Sequence, residues 1–235
     1  MKIKFHYILL IALCVGLIVS CKKDNYDPPS STLSGRLVYN GDSIQVERDQ
    51  VPFELYQYGF GKVGAIAGTF TQNGTYSALL FDGDYKMIIP NGQGPFMWKQ
   101  NSSGSLDSLA VTIRGSQTLD LEVTPYYMIR TPQISGNTST VTATFKVEKI
   151  ITDSINMKNI DRVSLYINRT QFVAGGDNIA VKDLAGADIV DPNNLTLSVN
   201  VPVIVPTQNY VFARIGVKID GVEDMIFSPV QKIQF

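Results

Sequence analysis

Short runs of alternating or β-branched apolar residues recur roughly every 8 to 14 residues from Thr32 onward, between clusters of glycine, asparagine and aspartate. No stretch of this part has a helical period long enough to indicate a stable helix. The pattern predicts an all-β chain. Expected strands are 33–39, 52–58, 65–72, 75–81, 85–89, 109–113 and 118–123 in a first series, and 140–147, 162–168, 178–182, 195–201, 210–219 and 225–235 in a second.

The two series predict two β-sandwich domains in tandem. The segment 125–132, which begins and ends with proline, lies between them, so we place the domains at 32–124 and 125–235. Each has the length of a small sandwich with its own core. Within the first, Asn73-Gly74 predicts a two-residue type I′ hairpin turn, because both central positions of that turn need a positive φ.

The first twenty residues predict a secretory signal peptide of the lipoprotein type. Lys2 and Lys4 precede an apolar run at 8–19, which is shorter than the roughly 20 residues of a membrane-spanning helix. Ser20 is followed directly by Cys21, the expected site of lipidation. Residues 21–31 are polar and rich in proline and serine, as expected of a flexible tether. We therefore expect a chain anchored to the outer membrane by lipid and facing the cell exterior.

Removal of this leader would exclude most catalytic chemistry. The single histidine, His6, and one of the two cysteines, Cys14, lie within it. A mature chain without histidine and with one cysteine at its N-terminus has no Ser-His-Asp or Cys-His machinery and no His/Cys zinc site. Its 18 basic and 21 acidic residues give a net charge near −3, which is unlike a nucleic-acid-binding protein. We expect no enzyme activity, no metal and no cofactor.

Two local motifs have simpler interpretations than ligand binding. Residues 59–64 match the pattern G-x-G-x-x-G, but the following segment, 65–72, predicts a strand where nucleotide binding needs a helix N-terminus. The acidic clusters at 82–84 and 220–224 contain too few oxygen ligands for calcium, and Asp-Gly is first a turn sequence. We interpret both motifs as loops and turns.

The loop at 91–105 contains the only tryptophan and is the candidate binding site. Phe96 and Trp98 could stack on a sugar ring while the amides of Gln100 and Asn101 bind its hydroxyls. Alternatively, the two aromatic rings fold back and cap one end of the sandwich. Both interpretations remain open from the sequence.

Five segments resemble a Bacteroidetes family of two-domain lipoproteins of unknown function. They are Cys-Lys-Lys-Asp-Asn-Tyr-Asp-Pro-Pro at 21–29, Thr-Leu-Ser-Gly-Arg-Leu-Val at 32–38, Gly-Thr-Tyr at 74–76, Gly-Asp-Tyr-Lys-Met-Ile-Ile-Pro at 83–90 and Gly-Pro-Phe at 94–96. The resemblance implies a carboxypeptidase regulatory-like (transthyretin-like) first domain and an immunoglobulin-like second domain. It also implies a place beside starch-utilisation-type transporters.

Two functions follow as hypotheses. In the first, the protein captures polysaccharide or oligosaccharide beside a TonB-dependent transporter and its glycan-binding lipoproteins. In the second, it is an interaction module, either a spacer or an accessory subunit of the transporter complex, with no ligand of its own. Fold alone does not distinguish them.

Overall fold

The computed structural model describes residues 27–59 and 64–235, and this part of the chain is built almost entirely from β-strands. The expected signal peptide, the lipidation site Cys21 and most of the 59–64 glycine motif lie outside the described residues. The strands up to residue 125 are β1 (Ser31–Tyr39), β2 (Asp42–Ser43), β3 (Pro52–Gln57), β4 (Ala65–Thr69), β5 (Thr75–Leu80), β6 (Gly83–Ile88), β7 (Phe96–Met97), β8 (Leu109–Ile113), β9 (Gln117–Thr118), β10 (Leu121–Glu122) and β11 (Thr124–Pro125).

The remaining elements form the second half. They are β12 (Tyr127–Gly136), β13 (Thr140–Lys149), β14 (Ile160–Asn168), β15 (Ala180–Ala185), a 3-10 turn at Gly186–Asp188, β16 (Leu195–Asn200), β17 (Tyr210–Ile219), β18 (Ile226–Phe227) and β19 (Gln231–Gln234). None of the described residues belongs to a helix long and apolar enough to cross a membrane.

The first sandwich packs two sheets face to face. In one, β1 pairs with β5 and β2 on antiparallel ladders and with β9 and β10 on short parallel ones. The other has the order β4-β3-β6-β8. Phe53, Phe70 and Tyr76 fill the space between them, with ring centroids 5.3–5.7 Å apart in tilted or edge-on geometry.

The second sandwich packs a three-stranded sheet, β12-β13-β16, on a five-stranded sheet centred on β14 and β17. Alternate residues of β13 and β16 are buried, as expected when one face of an antiparallel strand covers the core. The all-β sandwich fold predicted from the sequence is confirmed. Strands 109–113 and 210–219 have the predicted bounds.

One predicted turn is wrong, and one long strand was not predicted. Asn73-Gly74 does not close a hairpin, because β4 pairs with β3 in one sheet and β5 with β1 in the other; of the two turn residues only Gly74 has a positive φ, +73°. The long strand is β12, within which the proline-flanked segment 125–132 largely lies. It is an edge strand, and its ladder with β13 is irregular between Arg130 and Gln133, where proline is tolerated.

The two sandwiches share one continuous core and a hydrogen-bonded seam. Arg214 on β17 is fully buried at this seam. Its guanidinium donates to the carbonyl oxygens of Ser228 (2.8 Å) and Val173 (3.4 Å) in the second sandwich, and of Gln72 (2.7 Å) and Val46 (3.1 Å) in the first. It also lies 4.2 Å from the centroid of the Phe227 ring. One side chain thus binds backbone groups of both domains.

Arg214 remains charged at neutral pH despite its burial. Burial lowers the pKa of Arg214 to about 9, and the nearby Glu47 carboxylate opposes this shift. The backbone of Gln45 extends the contact, because its carbonyl accepts a hydrogen bond from the amide of Phe227 at 3.0 Å. The seam is therefore polar at its centre and apolar around it.

We expect Arg214→Ala to lower the free energy of unfolding by about 3–5 kcal/mol, because it leaves four buried carbonyl groups without this donor and opens a cavity. Urea unfolding monitored by circular dichroism measures this loss. Arg114→Ala, at a site whose side chain is 63% exposed, is the matched control and should cost about 0.5 kcal/mol or less. Equal effects of the two substitutions would contradict the role given to Arg214.

Candidate functional site

The predicted stacking residues Phe96 and Trp98 are buried, with 4% and 6% of their surface exposed. The Trp98 indole donates its Nε1 hydrogen to the carbonyl oxygen of Asp107 at 2.8 Å. Phe96 lies against Gly94, where an added Cβ would come within 2.4 Å of the ring. The structure therefore corrects the expectation of exposed ring faces and shows the alternative, in which both rings cap the sandwich.

Gln100 and Asn101 are exposed, but they differ in what they can offer a ligand. The Asn101 side-chain oxygen accepts hydrogen bonds from the amides of Ser103 (3.0 Å) and Ser105 (3.1 Å), so it stabilises its own loop. Gln100 lines two cavities of about 550 and 260 Å³, together with Met97, Trp98 and Asn156. Glycan contact by these residues stays a prediction, restricted here to edges and amides.

A second depression along the seam has the chemistry that the sequence suggested for the Trp98 loop. This amide cleft has a volume of about 450 Å³ and lies beside Arg214. It is lined by Gln45, Gln72 and Asn73 of the first sandwich and by Gln171, Phe212, Pro229, Val230 and Lys232 of the second.

The seam holds the amide cleft in place. The carbonyl of Gln72 accepts from Arg214, while its side-chain amide donates to the carbonyl of Gln171 at 3.1 Å. Both sandwiches are thereby connected at the cleft floor. The side-chain amides of Asn73 and Gln171 are exposed and can turn towards a ligand.

Phe212 supplies the aromatic surface of this cleft. It is half-buried on β17 and packs partly against Phe227 and its neighbours. Tyr210 contacts it edge-on, with the ring centroids 5.7 Å apart and the rings at 85°. The Lys232 ammonium lies 3.9 Å from the centroid of Tyr210, so it occupies the face of that ring and not the face of Phe212.

The sequence gave little indication of this cleft, since its amides are separated by about 130 residues and come from two domains. One signal was present. Tyr210, Phe212 and Arg214 share one parity on β17, whereas Val211 and Ala213 on the other parity are completely buried. Two aromatic residues and an arginine on the face away from a strand's own core indicate a covered or functional surface.

Two carboxyl groups near the seam have shifted titration. Burial raises the pKa of Glu47, although a hydrogen bond from the backbone of Gly176 opposes the shift. Burial likewise raises the pKa of Asp224, whose carboxylate accepts from the Gly94 amide at 2.7 Å. Among the described residues, no group of His, Cys, Asp and Glu side chains is arranged to hold a metal ion.

The fold and the cleft define a two-sandwich, all-β protein with a carboxamide-lined depression where the domains meet. The chain belongs to the DUF3823 family. Residues 31–124 match the model described as "Protein of unknown function (DUF3823) N-terminal domain", and residues 127–232 match "Domain of unknown function (DUF3823_C)". This confirms the resemblance to a two-domain family of unknown function. No curated protein matches the chain.

Solved structures of the same family are similar over nearly the whole described chain. A DUF3823 family protein from Parabacteroides merdae is 32% identical, with a TM-score of 0.76, covering 88% of this chain and 100% of its own. One from Bacteroides ovatus is 27% identical, also with a TM-score of 0.76, covering 87% and 99%. A Bacteroides uniformis protein at 17% identity shares the fold, with a TM-score of 0.65 and coverage of 88% and 100%.

We expect Asp224→Asn to unfold at a higher urea concentration than the wild type at pH 7. Because the folded-state pKa is raised, the unfolded state binds fewer protons above the ordinary value of 3.8, and the buried charge costs stability there. Asparagine keeps an acceptor for Gly94 without the charge. The advantage should shrink as the pH falls towards 3.8, where the wild-type carboxyl is protonated.

Urea unfolding at several pH values measures this difference, and Glu223→Gln is the control because its side chain is an exposed neighbour of the same charge. An advantage of Asp224→Asn that does not change with pH would show that the buried charge is not its cause.

Proposed function

We propose that this protein is a non-enzymatic outer-membrane lipoprotein, facing the cell exterior, that captures polysaccharide or oligosaccharide beside a TonB-dependent transporter. The observation that supports carbohydrate binding is the amide cleft, where the Phe212 ring and four carboxamides line one depression between the domains. Nothing in the family assignment points to catalysis.

The chemistry of the amide cleft suits a neutral sugar. The C–H face of a pyranose packs on an aromatic ring, and each carboxamide offers both a donor and an acceptor to neighbouring hydroxyls. A small number of polar groups placed around an apolar surface is the usual composition of a ligand site. The Bacteroides uniformis protein that shares this fold carries a provisional assignment to carbohydrate binding, which agrees with this function.

Lipid anchoring would make weak capture effective. Two acyl chains on Cys21 give stable membrane attachment, since each buried CH₂ contributes about 0.8 kcal/mol. A tether at 21–31 then keeps the sandwiches close to a transporter, where a high effective concentration compensates for weak individual contacts.

We expect Phe212→Ala to weaken binding of a neutral oligosaccharide about tenfold, because it removes the ring face at a cost on the order of 1–2 kcal/mol. Isothermal titration with maltoheptaose, cellohexaose, xylohexaose and mannohexaose measures the affinity. Gln171→Ala should weaken the same interaction by removing one exposed amide. Phe212→Leu, which keeps the apolar packing, separates loss of stacking from loss of folding.

The matched control is Tyr58→Ala, since Tyr58 is 61% exposed and lies outside the amide cleft. Binding that survives both Phe212→Ala and Gln171→Ala would remove this cleft as the site. A wild-type protein that binds none of the four oligosaccharides would contradict carbohydrate capture as tested.

For the anchor, we expect Cys21→Ser to move the protein from the membrane fraction to the soluble fraction, because serine cannot take the thioether-linked lipid. Mass spectrometry of the wild type should show cleavage before Cys21 and the added acyl mass. Protease treatment of intact cells should degrade a surface-facing protein and spare a periplasmic control. Wild-type protein with an intact, unmodified leader would overturn this part of the proposal.

A spacer or accessory subunit is the second candidate, and the seam favours it. Four hydrogen bonds from Arg214 and a shared core hold the sandwiches together, as a rigid spacer requires. Co-purification of a TonB-dependent transporter from solubilised membranes, by a protein without oligosaccharide affinity, would support this function over the first.

A further inference from the structure

The largest cavity of the described chain is a groove of about 860 Å³ in the second sandwich, away from the residues of the amide cleft. We call it the basic groove. It is lined by Tyr127, Arg130, Lys146, Val147, Glu148, Lys149, Asn159, Ile160, Gly186, Ala187, Ile189, Pro192 and Asn193.

The charges around this groove leave two cations available. Arg130 is fully engaged, since its Nε binds a Glu148 carboxylate oxygen at 2.6 Å and its Nη1 binds an Asp42 carboxylate oxygen at 2.5 Å. Glu148 is therefore neutralised. Across the described ranges 27–59 and 64–235, neither Lys146 nor Lys149 forms an ion pair.

Both lysines lie near the end of β13, and uncharged polar groups face them. Lys149 is half-buried, with its ammonium 5.9 Å from the centroid of the Tyr127 ring, so its stem is held against the groove wall. Lys146 is exposed. Asn159 and Asn193 add carboxamides to the lining, and these suit hydroxyl groups more than further charges.

The backbone of the groove is already paired, which argues against a peptide that would add as a strand. Residues 127–130 of β12 pair with 146–149 of β13 on one side. On the other side, the amide of Val147 donates to the carbonyl of Pro192 at 2.8 Å. A ligand must therefore be recognised by side chains and not by β-augmentation.

We propose that the basic groove binds an oligosaccharide that carries carboxylate groups, that is, a uronic-acid-containing chain. Two free ammonium groups attract the carboxylates, while the asparagine amides bind the sugar hydroxyls. The volume falls within the range of about 300–1,000 Å³ that is typical of ligand pockets. This site takes an anionic ligand, does not depend on the amide cleft, and can exist whether or not that cleft binds neutral sugar.

The test compares heptagalacturonate with its fully methyl-esterified form, which has the same sugar chain without the charges. The wild type should bind the acid form more tightly, and the affinity should fall as sodium chloride is raised. The double variant Lys146→Gln, Lys149→Gln should lose about fivefold to tenfold in affinity for the acid form and little for the ester, because each exposed ion pair contributes modestly.

The matched control is Lys86→Gln, Lys182→Gln, which removes two exposed lysines outside the groove and should leave the affinity unchanged. Phe212→Ala should also leave heptagalacturonate binding unchanged, so failure of the amide cleft and failure of the basic groove give different results. The proposal is overturned if the wild type does not bind heptagalacturonate, if both double variants weaken it equally, or if a hepta-glutamate peptide binds as tightly.

Discussion

The buried guanidinium of Arg214 is the interaction on which the arrangement of the two sandwiches depends. Arginine is suited to this position because its planar fork directs several N–H groups at fixed angles and stays charged at neutral pH. Here those groups bind carbonyl oxygens from both domains. A charged side chain is costly to bury, so it is retained only where most of its donors are satisfied, and a pair of domains that separated would leave it without half of them.

The amide cleft is a consequence of this contact. Gln72 binds Arg214 through its backbone and Gln171 through its side chain, so the residue that closes the seam also forms the cleft floor. Neither sandwich alone contains both the amides of the first domain and the Phe212 ring of the second. A site assembled in this way is preorganised by the same hydrogen bonds that stabilise the fold, and a ligand need not order the domains when it binds.

Most of the fold could be predicted from local pattern, and most of the site could not. The alternation in 210–219 fixed a strand because one face of it covers a core. The same reasoning missed β12, where proline at 132 resembles a linker but is tolerated at an irregular edge. It also misplaced Asn73-Gly74, since a turn sequence specifies a local bend and not which strands pair. Trp98 was ambiguous for a similar reason: loop position does not determine burial.

The cations of this protein divide according to what they contact. Arg214 is surrounded by carbonyl groups and is fully buried, so it stabilises and is unavailable to a ligand. Arg130 is shared between Glu148 and Asp42, which ties the second sandwich to β2 of the first. Lys146 and Lys149 line the largest cavity without a carboxylate partner among the described residues. Because the fold makes no ionic use of these last two charges, they are the ones that an anionic ligand can satisfy.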